Sequence, residues 1–331
     1  MATITKVEFY SGTTKIGEDL TSPYTLNWST GAVGAHALKA KAILSDNTVV
    51  ESPIVNITIN AAVAGFSAET TAYMNQIAIA NDSTLVYAGT AYETTGAALW
   101  TAVEAAVSGL KTNGLYTKMH YFRPRIGGTA VKHAVNLINP TSVLGTYTNA
   151  WTHSGAGSQA TATNSLFDTG FNPSTSQTAG NSGLTVSVIT DENTLDNSPI
   201  IGAYTADGDN AVIYAIKLTA SNYMRVRYNA GVVAFSPADP VGKTGPMTVS
   251  RVGGSTNFRF FRKGAFIHEG AGTGTNPDKN LYEATINGLS VTSWAGTFGV
   301  TAAHTGLTDT EAANLHTIIS DLELALKRKT W

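Results

Sequence analysis

Leu184-Thr185-Val186-Ser187-Val188-Ile189 alternates aliphatic with hydroxyl side chains, and this alternation decides the architecture of the larger part of the chain. A period of two places one set of side chains on each face of a pleated strand. Comparable runs follow at Val212 to Leu218, Tyr223 to Tyr228, Met247 to Val252 and Asn257 to Arg262. Gly, Asn, Asp and Ser cluster between them, as turns require. Many evenly spaced strands without intervening helices predict a jelly roll or a large sandwich. Arg259 and Arg262 fall between aromatic positions, which a solvated outer sheet face explains without a ligand.

Composition agrees. Of 331 residues, 47 are Thr and 32 are Gly, while only 13% are charged, about half the usual quarter. Thr favours strands and Gly favours turns. A hydrophobic content of 43% supports a sizeable core and excludes a disordered tail protein, a coiled coil and a collagen. A net charge of −2 and a pI near 6.4 argue against a binder driven by phosphate contacts, so nucleic acid is not an expected partner. With no cysteine there is neither a disulfide nor a thiolate metal site. No apolar run approaches the ~18 residues that cross a bilayer. The first residues lack a basic segment followed by an apolar one. These features lead us to expect no membrane insertion, and either a cytoplasmic protein or exit by a route other than standard secretion.

Upstream, residues 1–60 show shorter period-two runs: Val7 and Phe9, Leu26 and Trp28, Leu38 to Ala42, and Val55 to Ile59. They predict a small β-sandwich. Val7-Glu8-Phe9-Tyr10, Lys15-Ile16-Gly17, Ser22-Pro23-Tyr24, Trp28, Gly34 and Leu38-Lys39-Ala40 together resemble a bacterial immunoglobulin-like module. The resemblance implies a spacer or attachment unit with Trp28 in its core. Residues 61–66 read as a linker.

Residues 67–140 read as a helical lead-in. Ser67 suits an N-cap, and Tyr73 with Ile77 share one helical face. Leu99, Val103, Val107 and Leu110 repeat at helical spacing from about Thr95 to Asn113. A jelly roll over 141–306 and a C-terminal helix over 307–331, packing back on the second domain, complete the expected order. Thr308 and Glu311 form a capping box for that helix. Its tail, Lys327-Arg328-Lys329, sits where the helix dipole favours cations, and reads as capping and solubility.

Gly127-Gly128-Thr129-Ala130, His133, Asn136-Leu137, Asn139-Pro140, Trp151-Thr-His-Ser-Gly155, Asp168-Thr-Gly170, Asn172-Pro173 and Gly306 to Asn314 follow one another in an order that resembles a module of tailed bacteriophages. That module is a helical lead-in followed by a concanavalin A-like (laminin G-like) jelly roll. The resemblance covers roughly residues 66–329. It implies a mainly β fold and a virion context: a capsid decoration, head-fibre or appendage subunit at the virion surface. The partners so implied are other virion proteins of capsid or tail and glycans of the host surface. The chain would be a homo-oligomer or part of a larger assembly. A bacterial carbohydrate-binding accessory protein is the alternative, and a glycosidase on the same fold is the third.

Catalytic signatures are missing. Val241-Gly242-Lys243-Thr244 echoes a phosphate loop, but the Gly required five positions before Gly242 is Pro237. Neither HExxH nor GxSxG occurs. A retaining glycosidase needs two facing carboxylates. Glu18-Asp19 and Asp191-Glu192 are adjacent and would face opposite sides of a strand, and Asp309-Thr-Glu311 opens a helix. No catalytic residue is therefore assigned and the chain is expected not to be an enzyme. Asp207 and Asp209, in Thr205 to Asn210, are the candidate metal ligands, for Ca²⁺. The competing reading is a tight hairpin turn signalled by Asp207-Gly208, with no cofactor. The histidines are scattered, none at ligand spacing. Trp294 is the candidate ligand-binding residue, a ring that would stack on a sugar, against the alternative of a core tryptophan.

Overall fold

The computed structural model describes residues 2–331 apart from 29–30, 33, 60–64, 143–144, 163, 192–197, 206–209, 219–220, 229–230, 235–243, 273 and 288–292. The chain divides into two compact units, Met1–Ala64 and Gly65–Trp331.

In unit 1, β1 (Ile4–Ser11), β2 (Thr14–Asp19), β3 (Gly34–Leu44), β4 (Val49–Glu51) and β5 (Val55–Ile59) form one five-stranded antiparallel sheet. The long β3 organises it. One edge pairs with β1, while the other gives its first half to β5 and its second half to β4. The unit is thin. Val7, at 8%, is its one described hydrophobic side chain less than a tenth exposed. Trp28, expected in a core, is half-buried and packs edge-on against His36 at 4.9 Å. With Phe9, Ile16, Leu26 and Leu38 it lines an open groove of about 360 Å³. A sheet this short has too few residues to close over its apolar face. Expressed alone, residues 1–64 are expected to melt broadly, with less than about 3 kcal/mol of stability, since cores this small rarely supply more. A sharp calorimetric transition at the temperature of the full chain would contradict this.

Unit 2 opens with α1 (Ala68–Gln76), the short pair β6 (Leu85–Val86) and β7 (Thr94–Thr95), α2 (Gly96–Thr112), β8 (Met119–Arg123) and the one-turn α3 (Ala130–His133). There follow β9 (Thr146–Thr148), β10 (Trp151–Ser154), β11 (Gly157–Ala160), β12 (Leu166–Asp168) and α4 (Pro173–Ser176). Next come β13 (Ser182–Asp191), β14 (Ser198–Tyr204), β15 (Asn210–Leu218), β16 (Ser221–Tyr228) and β17 (Gly231–Ala234). Finally there are β18 (Gly245–Arg251), β19 (Asn257–Arg262), β20 (Ala265–Ala271), β21 (Tyr282–Glu283), β22 (Gly296–His304) and α5 (Asp309–Ala325).

Two antiparallel sheets face each other. The first runs β10-β11-β22-β13-β18-β19-β20, with β8 also on β22; the second runs β17-β16-β15-β14-β21-β12-β9. The core between them takes Leu184, Val186 and Val188 from β13, Phe258 and Phe260 from β19, and Ile201 and Ala203 from β14. The alternation read from residues 184–189 thus sets which side chains enter the core.

Two features depart from expectation. The segment 67–140 is not purely helical: its β8 pairs with the second half of β22, Thr301 opposite Arg123, so the first sheet recruits a strand from before residue 141. And β13 and β22 are buried on both faces over most of their lengths, including the hydroxyl positions Thr185 and Ser187. On the outer face α5 packs on β18 and β19 and against α2, and its Glu323 reaches the Val300 amide of β22. Helix α2 presents Leu99, Val103, Val107 and Leu110, all fully buried, and Thr95 caps its start by accepting from the Ala98 amide. No helix among the described residues is long and apolar enough to cross a membrane.

Candidate functional site

The outer face of the first sheet is open where α5 has not yet begun. Phe258 and Phe260 point into the core, so Asn257 and Arg259 point the other way. Together with Ser250, Val252 and Ser255 they floor a groove of about 420 Å³, walled by Thr308, Asp309 and Thr310 at the head of α5. Arg259 is the central side chain. It pairs with Asp309, lies 3.5 Å from a Glu269 carboxylate oxygen, and stacks 4.2 Å over the Phe266 ring. Phe266 itself is 45% exposed on β20, an uncommon display for a large aromatic ring. The groove thus offers a fixed guanidinium, a carboxylate, an amide and, beside them, an accessible ring.

Beneath α5 the same sheet face is closed by a buried chain of hydrogen bonds. The Gly264 amide donates to His316 Nδ1, which leaves the ring proton on Nε2. That nitrogen donates to Thr248 Oγ1 at 2.7 Å, Thr248 donates to Thr185 Oγ1 at 2.7 Å, and Thr185 donates to His304 Nε2 at 3.0 Å. His304 Nδ1–H ends the chain on the Thr305 carbonyl at 2.9 Å. Backbone groups at both ends fix one direction and one tautomer for each ring. Burial depresses His304 to about 4, and burial with the neighbouring His304 depresses His316 to about 3, so both are neutral.

A second cluster forms where the motifs of the lead-in meet those of β10. The Gly128 amide donates to His133 Nε2 at 3.0 Å, so His133 carries its proton on Nδ1. That proton faces Ser158 Oγ at 2.9 Å and His153 Nδ1 at 3.1 Å, and Tyr147 Oη lies 3.0 Å from the same hydroxyl. Gly128 and Gly155 flank the Tyr87 ring, where an added Cβ would lie 3.0 and 3.1 Å from it. A serine between histidines invites comparison with a hydrolase, but the chemistry does not follow. Ser158 is fully buried, and His133 turns its protonated Nδ1 toward the Ser158 hydroxyl, so it cannot take that hydroxyl's proton as a general base would. Burial, His153 and Arg125 hold His133 well below its usual range, and burial with Arg125 holds His153 at about 4. The cluster braces α3, β9, β10 and β11.

Two ion pairs lie in the same interior. Arg125 pairs with Glu283, whose other oxygen accepts from Thr301 Oγ1 at 2.7 Å. Arg328 pairs with Glu323 and donates to the Arg125 carbonyl at 3.0 Å. Glu323 in turn accepts from the Val300 amide at 2.9 Å across Gly299, where a Cβ would come within 2.2 Å of the carboxylate. Arg328 is 2% exposed, so the reading of the tail as solubilising charge fails at this residue. Arg262, at 6%, is likewise not on a solvated face.

Trp294 is fully buried against Phe298, at 4.8 Å and near a right angle. A ring with no exposed face cannot stack on a sugar, which corrects its candidacy as a ligand residue. Asp207 and Asp209, with the calcium they would hold, lie outside the described residues. No group of three or more His, Asp or Glu is arranged to hold a metal among the described residues. Sequence reasoning missed the histidine clusters, because their partners are up to 119 residues apart. It also missed the groove, because the exposure of Phe266 and the opening beside Arg259 exist only in the packed chain.

A family model of the bacterial Ig domain matches residues 2–40. No curated protein matches the chain. Among solved structures, the fibronectin(III)-like modules of CbhA from Clostridium thermocellum are 47% identical, covering 18% of this chain and 66% of that one, just under two thirds, with a TM-score of 0.18. Domain 4 of AbnA, an extracellular GH43 arabinanase of Geobacillus stearothermophilus in complex with arabinotriose, is 11% identical over 60% of this chain and 98% of that one, TM-score 0.41. The CBM40 of Ruminococcus gnavus IT-sialidase is 12% identical over 48% and 95%, TM-score 0.36.

Proposed function

We propose that the chain is a non-enzymatic display protein of a tailed phage particle, whose unit 2 binds carbohydrate and whose unit 1 serves as spacer or attachment module. The groove at the head of α5 carries the carbohydrate part. Sugars are bound by planar polar side chains that meet their hydroxyls and by an aromatic ring that meets their apolar face. Asn257, Arg259 and Asp309 supply the first and Phe266 the second. Arg259 is held by its neighbours before any ligand arrives, so little ordering entropy is lost on binding.

The placement on a virion surface rests on the order of motifs from Gly127 to Asn314, and the partners there would be capsid or tail proteins and host glycans. The second reading is a bacterial accessory protein for polysaccharide binding, favoured by the bacterial Ig match over residues 2–40.

A glycan array probed with the full chain tests the binding. Retention of at least one sugar class is expected, with a loss of about tenfold or more in Phe266→Ala or Arg259→Ala, the equivalent of about 1.4 kcal/mol. Variants that bind as well as the parent would remove the groove from the function. Mass spectrometry of purified particles of the encoding phage separates the two readings: absence of the chain from particles would favour the accessory role.

A further inference from the structure

Building on the carbohydrate reading of the groove, we infer that its ligand is a neutral, hydroxyl-rich sugar and that carboxylated sugars are turned away. Two features of the site would ordinarily draw an anion, and each is already met in part from within. The first is Arg259. Its charge is met by Asp309 and by Glu269, one guanidinium against two carboxylates, so an arriving carboxylate would have to displace one of them and face the other. A like charge placed beside a partly desolvated carboxylate is repelled. The second is the start of α5, whose free amides and dipole attract anions. Here the Thr308 hydroxyl accepts from the Glu311 amide, and the Glu311 carboxylate accepts from the Thr308 amide at 2.9 Å. Asp309 and Glu311 also place two carboxylates in the first turn, the second of them paired with Lys118 at 2.6 Å.

What remains open to a ligand is the hydrogen-bonding capacity of these neutralised groups and the exposed Phe266 ring. Carboxylates and amides fixed in this way pair with vicinal hydroxyls, which both donate and accept. An anionic sugar would leave the Asp309 and Glu269 charges uncompensated, and specificity would then come from repulsion as much as from attraction.

The test is a direct comparison of neutral oligosaccharides with sialylated and uronate-containing ones, using the full chain. Neutral sugars are expected to bind at least about tenfold better. The double variant Glu269→Gln with Asp309→Asn releases the Arg259 charge and is expected to reverse the preference by about tenfold toward the carboxylated set, with its melting curve confirming the fold. If that variant does not fold, Glu269→Gln alone is expected to shift the ratio in the same direction by a smaller factor. A parent chain that prefers carboxylated sugars overturns this inference and leaves the carbohydrate reading intact. Retention of neither class overturns both readings, and an unchanged preference in a folded double variant overturns the inference alone.

Discussion

Acidification from pH 6.5 toward pH 4.5 is expected to unfold unit 2. His133, His304 and His316 are 0%, 0% and 2% exposed and are held neutral in the fold. All three have depressed values in the native state, with His304 at about 4 and His316 at about 3. Once unfolded, each returns to about 6.5. Below that pH the unfolded chain takes up protons that the folded chain refuses, so stability falls as the pH falls. The loss begins near 6.5 and continues down to the folded values. Each group costs about 1.4 kcal/mol per pH unit when fully engaged, and three together about 4 kcal/mol per pH unit near pH 5. A typical domain has only about 5–15 kcal/mol to lose. Calorimetry between pH 7.5 and 4.5 reads the effect as a steep fall in Tm. His316→Gln keeps a donor and an acceptor toward Thr248 and Gly264 and removes one titrating group, so its slope should be shallower by about a third. A Tm that stays level between pH 7 and 5 would show that the rings are not held neutral.

Arg328→Met is expected to destabilise unit 2 by about 3–5 kcal/mol, the range for removing one partner of a buried ion pair. Glu323 is fully buried, and its charge would lose its counterion while the Arg125 carbonyl lost a donor. At 2–4 °C per kcal/mol for a unit of this size, the Tm should fall by about 10 °C. Combining it with Glu323→Gln removes the stranded charge and should recover most of the loss. The size of the recovery separates electrostatics from packing, because Met restores the arginine stem in both variants. A single variant within about 0.5 °C of the parent would return Arg328 to the solvated tail that its sequence position suggests.

The strands around Leu184, Met247 and Asn257 were legible because their signal is local: one residue in two is apolar, and that pattern has one pleated solution. The helices over Gly96–Thr112 and Asp309–Ala325 were legible from their apolar stripes, the second also from its capping box at Thr308. The contribution of β8 to the sheet was hidden. Met119-His-Tyr-Phe-Arg123 does not alternate, and its pairing partner lies almost 180 residues later. The site was less legible still. Trp294 drew attention as a large ring in a Gly-, Ser- and Thr-rich stretch, yet exposure is a property of the packed chain, and Phe266 rather than Trp294 carries it.

By itself the sequence determined the strand periodicity, the helix stripes, the C-terminal capping box and the absence of thiol chemistry, and hence a mainly β chain with a small first unit. These rest on interactions within about ten residues, which composition and spacing encode directly. Only the tertiary structure decided what happens to the polar faces. Thr185 and Thr248 alternate with aliphatic residues as solvent-facing positions would, but His316 of α5 meets Thr248 and all of them close one buried hydrogen-bonded chain with His304. The same helix, by beginning at Asp309, leaves Asn257 and Arg259 uncovered and makes the groove. A polar side chain is compatible with water or with a buried partner, and its own neighbours in the sequence do not say which. The choice falls to the segment that packs over it, because an unpaired polar group is costly in the interior and costs nothing at the surface.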